Sequence, residues 1–301
     1  MRNALILSPT LGDLLATLLQ RVSTIMRNKI ASHSGESTPT ARAGSQHAHV
    51  SLVGAGPGDP QLVTLKALRA LQSADVILHD QLVSAEVLAM APTHVERIDV
   101  GKKGYGRACR QSDINALMVG LASAGRRVVR LKAGDPLMFG RLGEEIAALE
   151  HAGIGYTVVP GISAAQGAAS ALGIGLTRRR GARRFQAITG HAAEGQLPND
   201  FDWAGLADPK ATTAVYMPKA TLGTLCSELQ RRGLAASHPA VAVFNATRAD
   251  QQIVGGTLAT LPQRIAAVEN GAPCVILIGV RAEHHLAKAI AGWPATACLN
   301  A

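Results

Sequence analysis

Aromatic residues are scarce in this sequence: two Trp, three Tyr and four Phe make up 3% of 301 residues. Proteins that grip single-stranded nucleic acid stack its bases on aromatic rings, and few rings are available here. Cysteine is equally sparse. Cys109, Cys226, Cys274 and Cys298 form no Cys-x-x-Cys pair, which matches neither a zinc site nor a disulfide framework. Thiols of this kind read most simply as belonging to a reduced, cytoplasmic protein. No run of about 18 apolar residues occurs, so no membrane span is expected. A secretory signal is not expected either: Asp13 interrupts the early apolar stretch and no small-residue cleavage site follows. Acidic residues are in the minority, with 21 Asp and Glu against 30 Lys and Arg, for a net charge of +9. That balance points to an anionic partner without separating nucleic acid from a small polycarboxylate.

The chain is long enough for a substantial core and roughly two domains. A hydrophobic fraction of 47% with 17% charged residues suits a globular protein. The first 48 residues stand apart. Leu11, Leu14, Leu15, Leu18, Leu19 and Val22 recur at helical spacing, and Ser32 to Gln46 reads as a flexible linker. Residues 1–48 are therefore expected to be a variable extension, with a transit peptide as a compositional alternative.

From His49 onward, apolar strands alternate with amphipathic helices. Strands are expected at 50–53, 76–78, 95–100, 127–132 and 156–159. Helices are expected to carry Leu62, Leu65, Leu68 and Leu71 on one face, then to cover 84–90, 113–124 and 144–152. This rhythm demands a largely parallel sheet covered by helices. A second set follows: a small-residue helix at 163–172, strands at 185–189, 213–217, 240–244, 251–254 and 274–279, and helices at 222–231 and 258–268. The expected organisation is an α/β domain over 49–161, another over 162–290 and a tail over 291–301, with mainly parallel or mixed sheets.

Chemistry concentrates at strand ends. Val128, Val129 and Leu131 lead into Ala133-Gly134-Asp135-Pro136, which holds a carboxylate where open α/β sheets bind ligands. Gly54-Ala55-Gly56-Pro57-Gly58-Asp59-Pro60 follows the first strand. A dinucleotide loop also places glycines here, with Asp80 near the position of a ribose-binding acid. Yet Pro57 and Pro60 fall where its helix would begin, and Asp59 as a cap suits a pyrophosphate poorly. Asp80 and Lys102 both follow strands and can reach one sheet edge, as an acid–base pair or as a surface ion pair. Ser163 caps a helix whose Ala164, Ala165, Gly167, Ala168 and Ala169 leave room for a flat ligand or for close packing. Arg178, Arg179, Arg180, Arg183 and Arg184 crowd one short stretch, as a solvated loop, a nucleic-acid patch or a set of carboxylate forks.

Taken in order, six segments resemble the tetrapyrrole methylase family over about residues 49–285. They are Val53 to Asp59, Asp80 to Ser84, Val100-Gly101-Lys102, Arg130 to Pro136, Val159 to Ala165, and Thr189-Gly190-His191. The resemblance implies two α/β domains with S-adenosylmethionine in the cleft between them, usually in a homodimer. It implies methylation of ring carbons of uroporphyrinogen III, through precorrin-1, to precorrin-2, for sirohaem or cobalamin synthesis, with no metal. Cofactor contacts carried over are Pro57, Ala133, Gly134, Asp135, Met138, Ser163, Ala164, Met217 and Ala246, and the acid–base pair is Asp80 with Lys102. The substrate's eight carboxylates match the basic balance, with Arg130, Lys132, Arg178 and Arg179 as candidate contacts. The chain departs from the family pattern in four places. Ala133 and Ala246 stand where Gly is usual, and a β-carbon there crowds the cofactor if the backbone needs a positive φ. Gly175-Leu176-Thr177-Arg178 replaces Pro-Leu-Thr-His, and Gly104 to Arg110 also differs. Multifunctional relatives carry an oxidase–chelatase module that the 48-residue extension is too short to supply. Three alternatives stay open at this point: a methylase of a later corrin intermediate, a basic nucleic-acid-binding protein, and a catalytically inert relative.

Overall fold

The structure is a computed structural model and describes residues 48–101, 110–191, 195–268 and 271–280. Lys102, Gly104 to Cys109, Cys298, the extension before Ala48 and the tail from 291 lie outside the described residues.

The first half contains β1 (His49–Gly54), β2 (Val76–His79), β3 (Glu96–Asp99), β4 (Val128–Lys132) and β5 (Gly155–Val159). They form a five-stranded sheet in the order β3-β2-β4-β1-β5, every pair parallel. Helices α1 (Leu65–Ser73), α2 (Ala85–Leu88), α3 (Gln111–Ser123) and α4 (Leu142–His151) fill the crossovers. Strand alternation divides the core between the two faces. Leu52, Val76, Leu78 and Val128 meet Ile114 and Met118 of α3 and Leu149 of α4. Val53, Ile77, Val129 and Leu131 meet Ala67 and Leu71 of α1 and Val87 of α2. Burial on both faces explains why a strand such as β2 reads as a continuous apolar run.

One expected helix is divided. Asp59 accepts from Gln61 N at 2.8 Å and caps a short 3₁₀ turn over Pro60–Leu62. Thr64 then caps α1 afresh through Ala67 N. The buried positions of α1 are Ala67 and Leu71, while Leu65 is 72% exposed. A second cap five residues after the first resets the helix phase, so of the expected leucine stripe Leu71 faces the core while Leu65 turns outward.

The second half contains β6 (Arg184–Thr189), β7 (Ala211–Tyr216), β8 (Pro239–Phe244), β9 (Gln252–Thr257) and β10 (Cys274–Ile278), in the order β6-β7-β10-β8-β9. Only β6 and β7 run parallel; the other pairs are antiparallel. Helix α5 (Ala164–Leu172) covers one face, packing Ala165, Ala168 and Leu172 against Ala214, Val241 and Leu277. A short α6 (Trp203–Leu206) precedes β7. Helices α7 (Leu222–Arg231) and α8 (Leu261–Ala266) cover the other face, around Phe244 and Ile276. Helix α8 is shorter than expected, because β9 runs on to Thr257 and a turn closed by Thr260 N donating to Thr257 O at 3.1 Å precedes the helix.

All five parallel strands of the first sheet end at one edge. From β1 the chain leaves toward β2, and from β4 it leaves the opposite way toward β5. The crevice between β1 and β4 is thus a topological switch point, where open sheets bind ligands. The second half closes against this edge. Asp59 N donates to Thr247 Oγ1 at 3.2 Å, Arg248 Nη2 donates to Leu82 O, and the Phe139 and Tyr216 rings lie 5.1 Å apart.

Candidate active site

Three backbone segments cross at the switch point with almost no room between them. A β-carbon on Gly54 would stand 2.6 Å from Gly161 N and 2.7 Å from Gly134 O. Gly56 N donates to Gly134 O at 3.1 Å and Gly134 N to Gly56 O at 2.8 Å, tying the Gly54–Asp59 loop to the turn after β4. Gly134 sits at φ 69° and Gly56 at φ 73°, a region open to glycine at little cost. No helix starts within this loop, unlike a dinucleotide site, where a helix N-terminus faces the pyrophosphate.

The cofactor residues expected from sequence gather around this crossing. The Asp135 carboxylate accepts from Leu137 N through Oδ1 at 3.0 Å, shaping the turn that presents Met138. Ser163 caps α5 reciprocally with Gln166, at 3.3 and 3.0 Å, and sets Ala164 beside Gly134. Pro57 lies directly on Gly167, whose missing β-carbon would come within 2.8 Å of the proline ring. At that point the small-residue stripe serves close packing. Met217 and Ala246 enter from the other half, at the carboxyl ends of β7 and β8.

Backbone strain concentrates on the same loops. The described non-glycine residues with positive φ are Phe139 (53°), Arg141 (55°), Met217 (52°), Asn245 (45°) and Thr247 (70°). Each such conformation costs on the order of 1–3 kcal/mol and persists where surrounding structure enforces it. Ala133 and Ala246 are not among them, so the condition on which their β-carbons were expected to crowd the cofactor, a positive φ, is not met. Small side chains, exposed Met217 and one carboxylate with an oxygen unengaged among the described residues fit a flat apolar group that carries a positive centre. Among the described residues no group of three or more His, Cys, Asp or Glu could hold a metal ion.

Asp80 stands at the end of β2 on the same edge. Its Oδ1 accepts from Arg130 Nη2 at 2.5 Å, its side chain is 33% exposed, and Oδ2 has no partner among the described residues. The expected companion Lys102 lies outside those residues. Arg130 and Lys132, expected from sequence to contact the substrate, lie beneath Asp80. They are 2% and 3% exposed, and both turn inward to Glu145. Arg130 Nε and Lys132 Nζ donate to Glu145 Oε1 at 2.9 and 2.7 Å. Burial lowers the Arg130 pKa, but Asp80 and Glu145 outweigh it, and the net shift is upward. Lys132 is shifted downward, by burial first and by the Arg130 charge next, against a smaller pull from Glu145. Glu145 was not singled out from sequence. A signal was present: it lies four residues before buried Leu149 on α4, and a carboxylate on a buried stripe must find partners.

Arg178 and Arg179, the other expected substrate contacts, lie away from the crossing. Arg178 N donates to Ala182 O at 2.6 Å, and its Nη2 donates to Gly279 O at 3.1 Å. Gly279 N in turn donates to Pro239 O, at the start of β8. The run leads into Arg184, which pairs with Ala211 at the start of β7. It therefore occupies the sheet edge opposite Met217 and Ala246, about 20 Å away along a six-residue strand. There Thr177, Arg178, Arg179 and Arg183 line an open depression of about 490 Å³.

Residues 49–262 match the family of Tetrapyrrole (Corrin/Porphyrin) Methylases. A siroheme synthase of Methylococcus capsulatus is 49% identical over 230 residues, covering 76% of this chain and 48% of that protein. The chain thus spans about half the length of the siroheme synthases it matches. A uroporphyrinogen-III C-methyltransferase of Paracoccus denitrificans is 44% identical over 262 residues, covering 84% of this chain and 91% of the relative. Among solved structures, the uroporphyrin-III C-methyl transferase of Thermus thermophilus, complexed with S-adenyl homocysteine, aligns with a TM-score of 0.65 and 37% identity. That alignment covers 77% of this chain and 92% of the neighbour.

Proposed function

Since the chain belongs to the tetrapyrrole methylase family, we propose that it carries out the S-adenosylmethionine-dependent C-methylation of uroporphyrinogen III, through precorrin-1, to precorrin-2. The observation that carries this reading is the convergence of the Gly134-Asp135 turn and Asp80 on one sheet edge, at the switch point between β1 and β4.

When bound, S-adenosylmethionine supplies an activated methyl group. The pyrrole carbon is already electron-rich, so the protein's main task is alignment of the two reactants. The crossing of Gly54, Gly134 and Gly161 lets the backbone approach the cofactor closely. Asp135 offers a carboxylate toward its positive charge, and Ala164 and Ala246 leave room for a flat group. Methyl transfer leaves a proton to be removed from the ring system. Asp80 suits that step: Oδ1 is held by Arg130, while Oδ2 remains available as a base. Lys102, by family resemblance, completes the acid–base pair. Residues 49–161 and 162–290 act as the two domains on either side of the cleft, in a cytoplasmic homodimer.

The test is anaerobic incubation of the full chain with S-adenosylmethionine and uroporphyrinogen III, followed by mass analysis. Addition of two methyl groups is the expected result. An unchanged tetrapyrrole, or methylation of a later corrin in preference to uroporphyrinogen III, would overturn the assignment. Light scattering checks the dimer, and a monomer that is fully active would remove it.

A further inference from the structure

The buried charges beneath Asp80 form a chain of contacts that ends at one carboxylate. Glu145 is fully buried, and its Oε1 accepts from Arg130 Nε at 2.9 Å, Lys132 Nζ at 2.7 Å and Gln111 Nε2 at 3.3 Å. Its Oε2 is buried without a partner among the described residues. A carboxylate so placed is a poor device for stability alone, since well-packed apolar residues often do as well or better than a buried ion cluster. Its geometry, however, determines where the Arg130 guanidinium points.

Glu145 holds Arg130 through Nε, at the base of the fork. The guanidinium is planar and rigid, so anchoring Nε also directs the other two nitrogens. Nη1 then reaches Leu78 O and Leu131 O at 3.4 and 3.3 Å, and Nη2 reaches Asp80 Oδ1 at 2.5 Å. Among the described residues Asp80 is therefore gripped by one oxygen only. Two carboxylates, Asp80 and Glu145, balance two cations, Arg130 and Lys132, so loss of either acid leaves a buried positive charge in excess.

We propose that Glu145 is a positioning residue for the proton-accepting Asp80, acting through Arg130. The inference rests on the reading of Asp80 as the base in the proposed methyl transfer. Glu145 itself touches neither reactant. Its work is to fix the rotation of Arg130, and with it the direction in which Asp80 Oδ2 faces the cleft.

A double-mutant cycle on the full chain tests this, using Glu145→Gln, Asp80→Asn and the pair together. Turnover is measured anaerobically with S-adenosylmethionine and uroporphyrinogen III, and cofactor affinity by calorimetry. Glu145→Gln is expected to lower kcat by on the order of 100-fold, the scale of a misplacement of about 1 Å. The KM and the S-adenosylmethionine affinity should change by less than about twofold. In the Asp80→Asn background the same substitution should cost nothing further, because the group it positions is gone. A loss in that background equal to the loss in the wild-type background would overturn the proposal, as would a drop in cofactor affinity matching the drop in kcat. If Glu145→Gln does not fold, Glu145→Asp keeps the charge and withdraws it by one methylene. A smaller kcat loss with the same non-additivity supports the proposal, and an additive loss sinks it. Failure of the underlying reading looks different: the wild-type chain then methylates nothing, or Asp80→Asn is as active as wild type.

Discussion

Replacing Gly54 by alanine is the most direct probe of the crossing that builds the cleft. The new β-carbon would lie 2.6 Å from Gly161 N, 2.7 Å from Gly134 O and 2.7 Å from Gly161 Cα. Ordinary carbon contacts begin near 3.5 Å, so the segments must separate by about 0.8–0.9 Å. Neither neighbour is a flexible side chain. Gly54 pairs with Lys132 in the register of β1 and β4, and β1 is held on its other side by β5, so the strand cannot simply slide away. Overpacking of this kind costs roughly 1–3 kcal/mol. Gly54 is not at positive φ, so alanine adds no backbone strain, and the loss of unfolded-state freedom returns about 0.4–1 kcal/mol. The net is about 0–2.6 kcal/mol, or a fall in Tm of up to roughly 10 °C for a unit of this size. Turnover should suffer more, because displacing the Gly134 turn by nearly 1 Å costs on the order of 100-fold. Calorimetric melting, S-adenosylmethionine titration and turnover together read the effect. Gly120→Ala in α3 is the control: its β-carbon meets nothing within 4 Å, and helix propensity should stabilise it by about 0.8–1 kcal/mol. A Gly54→Ala protein that melts, binds and turns over like wild type would refute the idea that this crossing positions the cofactor turn.

Other consequences separate the parts of the site. Asp135→Ala should weaken S-adenosylmethionine binding by about 1.5–3 kcal/mol, the worth of a hydrogen bond to a charged group, and calorimetry giving unchanged affinity would remove Asp135 from the cofactor contacts. Asp80→Asn should slow turnover by on the order of 10²–10⁴-fold while sparing that affinity; a loss of affinity instead would make it a binding residue. Arg178→Gln together with Arg179→Gln should leave the KM for uroporphyrinogen III unchanged, because the run lies at the far sheet edge; a severalfold rise at low salt would restore it to the substrate site. Burial pushes the thiols of Cys226 and Cys274 up to about 12, from 9.0. Above pH 9 the unfolded chain loses these protons while the folded chain keeps them. Stability should then fall with rising pH, by up to about 1.4 kcal/mol per unit and thiol. Urea unfolding at pH 8 and pH 10 checks this against Cys226→Ala, which should flatten the slope. Lys132, shifted downward, works in the opposite sense as pH approaches its unfolded value of 10.5.

Much of the architecture was legible because it follows from rules acting over a few residues. Continuous apolar runs such as Val76 to Leu78 marked strands buried on both faces, and their alternation with helices required the parallel first sheet. Ser163 announced the start of α5 and Asp59 the turn at Pro60 through their capping chemistry. Pro57 and Pro60 correctly argued against a dinucleotide loop, since only a 3₁₀ turn begins at Pro60 and the α-helix waits until Leu65.

What the sequence by itself determined was therefore the element order, the parallel sheet and the presence of glycine turns and an acid at strand ends. Only the tertiary structure decided what those groups meet. Arg130 and Lys132 looked like cations on offer to a polycarboxylate, yet Glu145, from the following helix, draws both inward. The arginine run looked like part of the cleft, yet its place depends on which edge of β7 and β8 the chain has reached after α5. Local propensity sees hydrogen bonds and side-chain spacing within a turn or two. A buried ion cluster or a sheet edge depends on residues brought together from distant stretches of chain, and no local pattern carries that distance.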